Sequence, residues 1–329
     1  MKYLYIFLSL VALVLIVAVV QERSLPRVAE PRWVVSFTPR QADYFGLDPR
    51  TVYRAVLNDF KPKHLRLQAN WNDIEPEIDK FDFQELDWLI QEAGASGATV
   101  TLAIGRKLPR WPECHNPVWL KNLKPWEVDE RVDKMLSVVV ERYRNNPVVT
   151  RWQLENEPLF AFGNCPTPNW HALKKERDLI KLYDSTRPIL LTDSGELSPW
   201  WETSILGDEQ GTTMYRVTWD RLLGYFYYPW PAYFYRLKAA LVKPFVTQTV
   251  ISELQMEPWA PYDLKTLSTT EAQKSFSVER FWSNAQFARS TGLPEAFLWG
   301  VEWWYLARER GEPAYWEAGK QLFGQVSTQ

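Results

Sequence analysis

The chain has 329 residues, 46% of them hydrophobic, which is enough for one large core or two modest ones. Its formal net charge of −2 gives no reason to expect a nucleic-acid partner or a general attraction to anionic membranes. Two cysteines and three widely spaced histidines leave no Cys/His ligand pattern, so no metal, no cofactor and no Ser-His-Asp hydrolase is predicted. The 18 tryptophans fit either an aromatic-lined site for flat ligands such as sugar rings or a large aromatic core.

The first residues are predicted to be a targeting element. Residues 3–20 form an uncharged, mostly aliphatic run behind Lys2, just long enough to span a bilayer. Because the run ends in a poor cleavage site, an uncleaved membrane anchor over residues 1–20 is favoured over a cleaved signal. Residues 21–32 are predicted to be a polar tether. Three arginines after the run favour a cytoplasmic location for the rest of the chain. The export-like N-terminus favours a location outside the cytoplasm, either membrane-anchored or secreted, and this second location is the one we expect.

From residue 33 to residue 329 the sequence predicts one catalytic domain of alternating strands and helices. Amphipathic helices are predicted at Phe83–Ala93, Trp126–Tyr143 and Glu271–Ser290. The pattern predicts an α/β fold, a (β/α)₈ TIM barrel preceded by one N-terminal hydrophobic helix. An open doubly wound sheet is the alternative, but no glycine-rich turn follows the first strand to hold a nucleotide. The eight strand-like runs are Trp33–Phe37, His64–Ala69, Thr99–Ile104, Val148–Leu154, Pro188–Thr192, Thr213–Thr218, Thr247–Ser252 and Ala296–Gly300.

Two carboxylates stand at predicted strand ends. The fourth strand stops at Asn156-Glu157-Pro158, where the proline has no N–H to continue a ladder. The seventh strand carries Glu253. Because the C-terminal ends of barrel strands meet at one mouth, Glu157 and Glu253 are predicted to face a common cleft.

These features resemble the clan A retaining glycoside hydrolases, the (β/α)₈ superfamily of cellulases, mannanases and β-galactosidases. The resemblance rests on Asn156-Glu157-Pro158 and Glu253, and it extends from Trp33 to the C-terminus. It includes WNDIEPEIDKFDFQELD at residues 71–87, which looks like the family's strand-two loop and following helix. The histidine often found on strand six of the cellulase-like members is not evident. The resemblance implies that Glu157 is the general acid/base and Glu253 the nucleophile.

Four further residues are predicted to bind substrate or support the nucleophile. Arg66 on the second strand and the Tyr215 hydroxyl on the sixth are predicted to keep Glu253 charged. Asn156 is predicted to bind the sugar 2-hydroxyl, and Trp299 to form the floor under the sugar ring. Two alternatives stay open: Arg66 as a structural ion-pair partner, and Trp219 as the strand-six aromatic residue. Five other glutamates are expected to be solvated or capping groups: Glu75, Glu113, Glu155, Glu257 and Glu302.

Two loop features complete the prediction. Cys114 and Cys165 follow the third and fourth strands, which are neighbours in a barrel, so they are predicted to form a disulfide if the body is exported. The stretch Gly224–Tyr235 is too aromatic for an ordinary exposed loop. Ordinary packing of a long loop is the default reading, with a cleft wall or a contact with a membrane interface as alternatives.

The predicted function is that of a retaining glycoside hydrolase, which cleaves β-glycosidic bonds of a poly- or oligosaccharide by double displacement. Its partners would be a carbohydrate and, through the N-terminal segment, a membrane. One alternative is a transglycosylase on the same site. Another is a non-catalytic glycan-binding barrel at a membrane, which is disfavoured because a binder has no need of both carboxylates.

Overall fold

Eight parallel strands of the chain close into a barrel. The computed structural model describes Tyr5, Ser9, residues 16–167 and residues 169–326. Its strands are β1 (Arg32–Ser36), β2 (His64–Gln68), β3 (Thr99–Ile104), β4 (Val149–Leu154), β5 (Ile189–Asp193), β6 (Glu209–Met214), β7 (Val217–Asp220), β8 (Gly224–Tyr227), β9 (Thr249–Gln255) and β10 (Glu295–Trp299). The barrel order is β1-β10-β9-β6-β5-β4-β3-β2, while β7 and β8 pair as a separate antiparallel hairpin. The predicted (β/α)₈ architecture is confirmed.

Helices alternate with the barrel strands. The long helix at Pro125–Tyr143 shows why: its apolar residues recur every three or four positions and bury one side. The helices are α1 (residues 16–24), α2 (Pro39–Tyr44), α3 (Pro49–Phe60), α4 (Trp71–Ile74), α5 (Gln84–Ala95), α6 (Pro125–Tyr143), α7 (Trp170–Tyr183), α8 (Trp201–Leu206), α9 (Ala232–Val242), α10 (Thr269–Ser275), α11 (Val278–Thr291), α12 (Val301–Glu309) and α13 (Ala314–Val326), with a 3₁₀ helix at Val118–Asn122.

The core has two parts, and the inner one is largely polar. A large apolar cluster fills the space between strands and helices, while the barrel interior holds a small cluster of Val34, Leu190, Val250 and Phe297. Near the N-terminal ends of the strands, buried Arg151 forms ion pairs with Glu209 and Glu295, each at 2.8 Å. This ionic layer closes the lower end of the barrel, so the open mouth lies at the C-terminal ends, where barrel enzymes place their chemistry.

Two predicted elements are wrong in position. The sixth barrel strand is Glu209–Met214 rather than Thr213–Thr218. The prediction missed it because its side chains are mostly polar and are satisfied by hydrogen bonds inside the protein. Buried Gln210, for example, accepts hydrogen bonds from Thr203 and Ser204 at 2.9 and 2.8 Å. The predicted helix Glu271–Ser290 is two helices, α10 and α11, since Ser277 caps the second by accepting from the backbone N–H of Arg280.

The N-terminal prediction falls mostly outside the described residues. Residues 1–4, 6–8 and 10–15 of the predicted anchor are not among them, and the anchor stays a prediction. Within the described part of the chain, no helix is both long and apolar enough to cross a membrane. Residues 21–32, predicted as a tether, contact the barrel domain: Glu22 accepts from Arg236 Nε at 2.6 Å, and Glu30 pairs with Arg289.

Candidate active site

A cavity of about 940 Å³ opens at the C-terminal ends of the barrel strands. Four predicted site residues line it together: Glu157, Glu253, Tyr215 and Trp299. Arg66, which is fully buried, reaches Glu253 from the barrel interior. The barrel therefore brings two carboxylates, from its fourth and seventh strands, into one water-accessible space.

Glu253 is held by two donors, one on each carboxylate oxygen. Tyr215 Oη donates to Oε2 at 2.8 Å, and Arg66 Nη2 lies 3.3 Å from Oε1. Arg66 is itself fixed, because its Nε donates to Ser36 Oγ at 2.9 Å and its Nη1 to Gln153 Oε1 at 3.3 Å. Burial, and then the Glu253 carboxylate, raise the pKa of Tyr215 well above its usual range, so the hydroxyl keeps its proton. The two contacts fix the orientation of the Glu253 carboxylate.

A tight turn after β4 places Glu157 in the cavity. Glu155 and Glu157 both adopt left-handed backbone conformations, with φ of 55° and 41°, which non-glycine residues rarely adopt outside functional sites. The turn is fixed by the Glu155 carboxylate, which accepts from the backbone N–H groups of Arg106 and Lys107 at 2.6 and 2.5 Å. The Glu157 N–H donates to Thr192 Oγ1 at 2.8 Å.

The environment of Glu157 favours its protonated form. Burial raises the pKa of Glu157 well above its usual range, and the neighbouring Glu253 and Glu113 carboxylates add to the effect. Its side chain meets a neutral hydroxyl, Thr213 Oγ1, at 3.3 Å. One carboxyl group thus has an arginine and a tyrosine as donors, and the other is buried with a raised pKa, a contrast that suits nucleophile and general acid roles.

Asn156 lies beneath the cavity wall rather than among the cavity-lining residues. It is 1% exposed, and its Nδ2 donates to Glu113 Oε1 at 3.5 Å. Its Oδ1 accepts from Gln153 Nε2 and Thr192 Oγ1, each at 3.4 Å. Its contact with a sugar 2-hydroxyl stays a prediction.

Trp299 packs against a cation that sequence reasoning did not single out. The Arg110 guanidinium lies 3.9 Å from the centre of the Trp299 ring, and Arg66 approaches the same ring at 5.5 Å. Arg110 bridges two carboxylates, pairing with Glu257 and, at 3.0 Å, with Glu302. It extends from the loop after β3 to segments after β9 and β10, and so crosses the barrel mouth.

The expectation that five other glutamates are solvated is wrong, whereas Glu75, Glu155 and Glu302 do accept backbone N–H groups, as capping groups would. Each is buried and has a hydrogen-bond or ionic partner in the protein: Glu75, Glu113, Glu155, Glu257 and Glu302. Glu75 pairs with Arg131, and Glu113 pairs with Lys107 at 3.3 Å. Glu113 also lines the cavity, and burial raises its pKa to about 8. No sequence signal pairs Arg131 on α6 with Glu75, which lies 56 residues before it, and only the fold shows which cation meets which carboxylate.

The loop predictions have clear outcomes. Cys114 and Cys165 form a disulfide with a Cα–Cα distance of 5.3 Å, which joins the loops after β3 and β4 beside the cavity. In the aromatic stretch, Tyr228 lines the cavity, whereas Tyr235 is buried and donates to Glu196. The stretch therefore forms part of the cleft wall and also packs into the protein interior. Contact of this stretch with a membrane stays a prediction. Of the two strand-six aromatic candidates, both line the cavity, and it is Tyr215 that bonds the Glu253 carboxylate.

Solved structures with a similar barrel fold include several glycoside hydrolases. Xylanase 10B from Thermotoga petrophila RKU-1, solved with xylobiose, is 14% identical with a TM-score of 0.61, and the alignment covers 91% of this chain and 95% of that chain. A cold-adapted β-galactosidase from Rahnella sp. R3 is 13% identical with a TM-score of 0.59, covering 92% and 56%. At these identities the likeness shows the fold alone.

Sequence comparison reaches less of the chain. An alignment 113 positions long shows 30% identity to β-galactosidase BbgII of Bifidobacterium bifidum. The match covers 27% of this chain and spans only 15% of the length of that protein. No protein-family model matches the sequence.

Proposed function

We propose that the protein is a retaining glycosidase for β-linked oligo- or polysaccharides, with Glu253 as nucleophile and Glu157 as general acid/base. The observation that carries the proposal is the contrast between two carboxylates in one cavity. Glu253 is bonded by Arg66 and Tyr215, while Glu157 is buried beside it with a raised pKa. A glycan-binding barrel would gain nothing from that contrast.

In the proposed first step, the Glu253 carboxylate attacks the anomeric carbon while Glu157 gives its proton to the departing glycosidic oxygen. The sugar is then covalently attached to Glu253, whose negative charge is gone. Because that charge contributes to the raised pKa of Glu157, the pKa of Glu157 falls in the intermediate. Glu157 is then suited to take a proton from water, which attacks the anomeric carbon. This step releases Glu253, and the sugar product keeps its original anomeric configuration.

The cavity walls support a saccharide substrate. Trp111, Phe162 and Trp259 line the cavity in succession, with ring centroids 6.2 and 6.4 Å apart. Neighbouring ring planes are inclined by 71° and 46°, so the three side chains form an angled aromatic wall against which the apolar face of a sugar ring can pack. We propose that Asn156 donates a hydrogen bond to the sugar bound next to Glu253. Trp299 would form the floor beneath the same sugar ring.

The test is covalent trapping with a panel of 2,4-dinitrophenyl 2-deoxy-2-fluoro-β-glycosides. The fluorine slows both steps, and the dinitrophenolate departs without a proton, so the glycosyl-enzyme accumulates. We expect the protein mass to increase by one fluoroglycosyl group, mapped by peptide sequencing to Glu253. Glu253→Gln is the matched control and should stay unlabelled. A label on another residue, or none from a panel that includes glucosyl, galactosyl, mannosyl and xylosyl donors, contradicts the proposal.

We also propose that the catalytic domain lies outside the cytoplasm, with residues 1–20 as its anchor. The disulfide between Cys114 and Cys165 supports this, since such bonds persist in oxidising compartments. Thiol alkylation in intact cells, followed by mass spectrometry, tests it. Two oxidised cysteines in a membrane fraction are expected; two free thiols would contradict it.

A further inference from the structure

A single hydroxyl group joins Glu157 to a second buried carboxyl group. Thr213 Oγ1 lies 3.3 Å from Glu157 Oε1 and 3.3 Å from Glu196 Oε2. It also accepts the backbone N–H of Gly195 at 2.9 Å. A hydroxyl has one proton to donate and two lone pairs to accept with. With one lone pair taken by Gly195, Thr213 can donate to one carboxyl group and accept from the other. All three hydrogen bonds of the Thr213 hydroxyl can form at once only when one of the two carboxyl groups carries a proton.

The surrounding donors decide which carboxyl group is charged. Glu196 Oε1 accepts two further hydrogen bonds, from the Tyr215 N–H at 2.9 Å and from Tyr235 Oη at 2.7 Å. Among the described residues, the side-chain hydrogen bond of Glu157 is the one to Thr213. Three donors around Glu196 favour its carboxylate form. The proton of the pair therefore belongs on Glu157.

We propose that Glu196 is a positioning residue that acts through Thr213 to keep Glu157 protonated and aimed into the cavity. The Thr213 hydroxyl donates to the Glu196 carboxylate and accepts the proton of Glu157. This inference rests on the proposed function, because protonated Glu157 is the acid of the first step. After that proton has passed to the leaving oxygen, rotation of the hydroxyl about its C–O bond lets Thr213 donate to the Glu157 carboxylate.

Other charged and titratable groups also face Glu157 and Glu196. Their effect on the titration of Glu157 must be separated from the effect of the Thr213 hydroxyl. Glu157 faces Glu253 on β9, Glu113 and Lys107 in the loop after β3, and Asp193 at the end of β5. Glu196 faces Tyr215 after β6, Tyr235 and Lys238 on α9, and Tyr228 after β8. Burial raises the pKa of Glu196 to about 7, against the lowering effect of its hydrogen bonds. The experiment therefore compares variants that keep these charges with variants that remove one.

The measurement is an NMR titration of protein labelled with ¹³C at the glutamate carboxyl carbons. The Glu157 signal is assigned by its loss in Glu157→Gln. Thr213→Val removes the hydroxyl at nearly constant volume and keeps the Glu196 charge; Thr213→Ser keeps the hydroxyl. In Glu196→Gln, the amide oxygen should take the two tyrosine donors, so the NH₂ group faces Thr213 and the hydroxyl must donate to Glu157.

We expect the titration midpoint of Glu157 to fall by about 0.5–1 pH unit in Thr213→Val and by about 1–2 units in Glu196→Gln, as expected for one neutral and one charge-assisted hydrogen bond. Thr213→Ser should titrate like the parent protein. In the Thr213→Val background, Glu196→Gln should have less than half its effect. An equal effect in both backgrounds means that Glu196 acts by charge through space and overturns the proposal. An unchanged midpoint in Thr213→Val also overturns it, whether or not Glu196→Gln folds.

Kinetics give a second readout on any glycoside with an unactivated leaving group that the protein hydrolyses. The alkaline limb of its kcat/KM profile should move down in pH with the NMR midpoint. Hydrolysis of a dinitrophenyl glycoside, whose first step needs no acid, should keep its profile. The NMR titration needs no activity, and trapping on Glu253 tests the proposed function separately, so failure of one is distinguishable from failure of the other.

Discussion

Tyr215 donates a 2.8 Å hydrogen bond from its hydroxyl to Glu253 Oε2. The other oxygen of that carboxylate is 3.3 Å from the Arg66 guanidinium, so each oxygen has its own donor. The contacts fix the orientation of the carboxylate toward the cavity.

Replacing Tyr215 with phenylalanine should lower kcat/KM about 10- to 100-fold, the effect of losing a hydrogen bond to a charged group. The first step should slow more than the second, because Glu253, the proposed nucleophile, loses a hydrogen-bond donor. Pre-steady-state release of dinitrophenol measures the first step directly. Tyr183→Phe, at the end of α7 and outside the cavity, is the matched control. Parental kinetics in Tyr215→Phe would contradict a role for this hydroxyl at Glu253.

The protein should be more stable at pH 5.5 than at pH 8.5. Burial raises the pKa of Glu113 to about 8 and those of Glu155 and Glu196 to about 7. Because these groups bind protons more tightly in the native state, their stabilisation is complete below about pH 4.5 and is lost as the pH rises to 8. Each group lowers the free energy of unfolding by up to about 1.4 kcal/mol per pH unit in that window.

Urea unfolding at half-unit pH steps measures this slope. Glu113→Gln should flatten it between pH 6 and 8, because the group with the highest of these three pKa values is gone. Stability that rises across the same window would contradict the assigned direction.

Removing the disulfide should destabilise the fold. Cys114 and Cys165 are 51 residues apart in sequence, and a bond across that separation contributes about 2–4 kcal/mol. We expect Cys114→Ala with Cys165→Ala to lower the free energy of unfolding by that amount in urea. Reduction of the parent protein should reproduce the change, and an equal midpoint with and without reductant would count against it.

The segment before the barrel should contribute to stability through Glu22. Its carboxylate accepts from Arg236, which is 3% exposed and would otherwise lose its charged partner. Glu22→Gln should lower the free energy of unfolding by about 1–3 kcal/mol at pH 7. Glu77→Gln breaks an exposed pair with Lys80 and should cost less than about 1 kcal/mol. Equal effects of the two substitutions would mean that the N-terminal segment is not docked as observed.

The sequence predicts most of the barrel because seven strands have apolar or β-branched runs between helical patterns. Thr99–Ile104 matches its predicted bounds, and others differ by one to three residues at an end. The sixth strand fails because EQGTTM has no such run: its polar side chains are satisfied by bonds inside the barrel, as Gln210 is by Ser204. Periodicity cannot reveal a strand whose burial is polar.

The candidate site also contains residues that the sequence predicts and residues that only the fold reveals. Glu157 and Glu253 are predictable because each ends a recognisable strand. Arg110 is not, because its partners Glu257 and Glu302 lie far along the chain and only barrel closure brings them across the mouth. The pairing of Thr213 with Glu196 is hidden for the same reason, together with the misplaced sixth strand.

The central claim, that Glu253 attacks and Glu157 transfers the proton, is tested most directly by the anomeric configuration of glycosyl azides. Azide needs no general base, so with a dinitrophenyl β-glycoside it should restore turnover of Glu157→Ala by intercepting the intermediate on Glu253. The product should be the β-azide, with retained configuration. In Glu253→Ala, azide should enter from the opposite face and give the α-azide. Proton NMR of the two products distinguishes these outcomes: retained and inverted products, respectively, are predicted, whereas the same configuration from both variants would contradict the assigned roles.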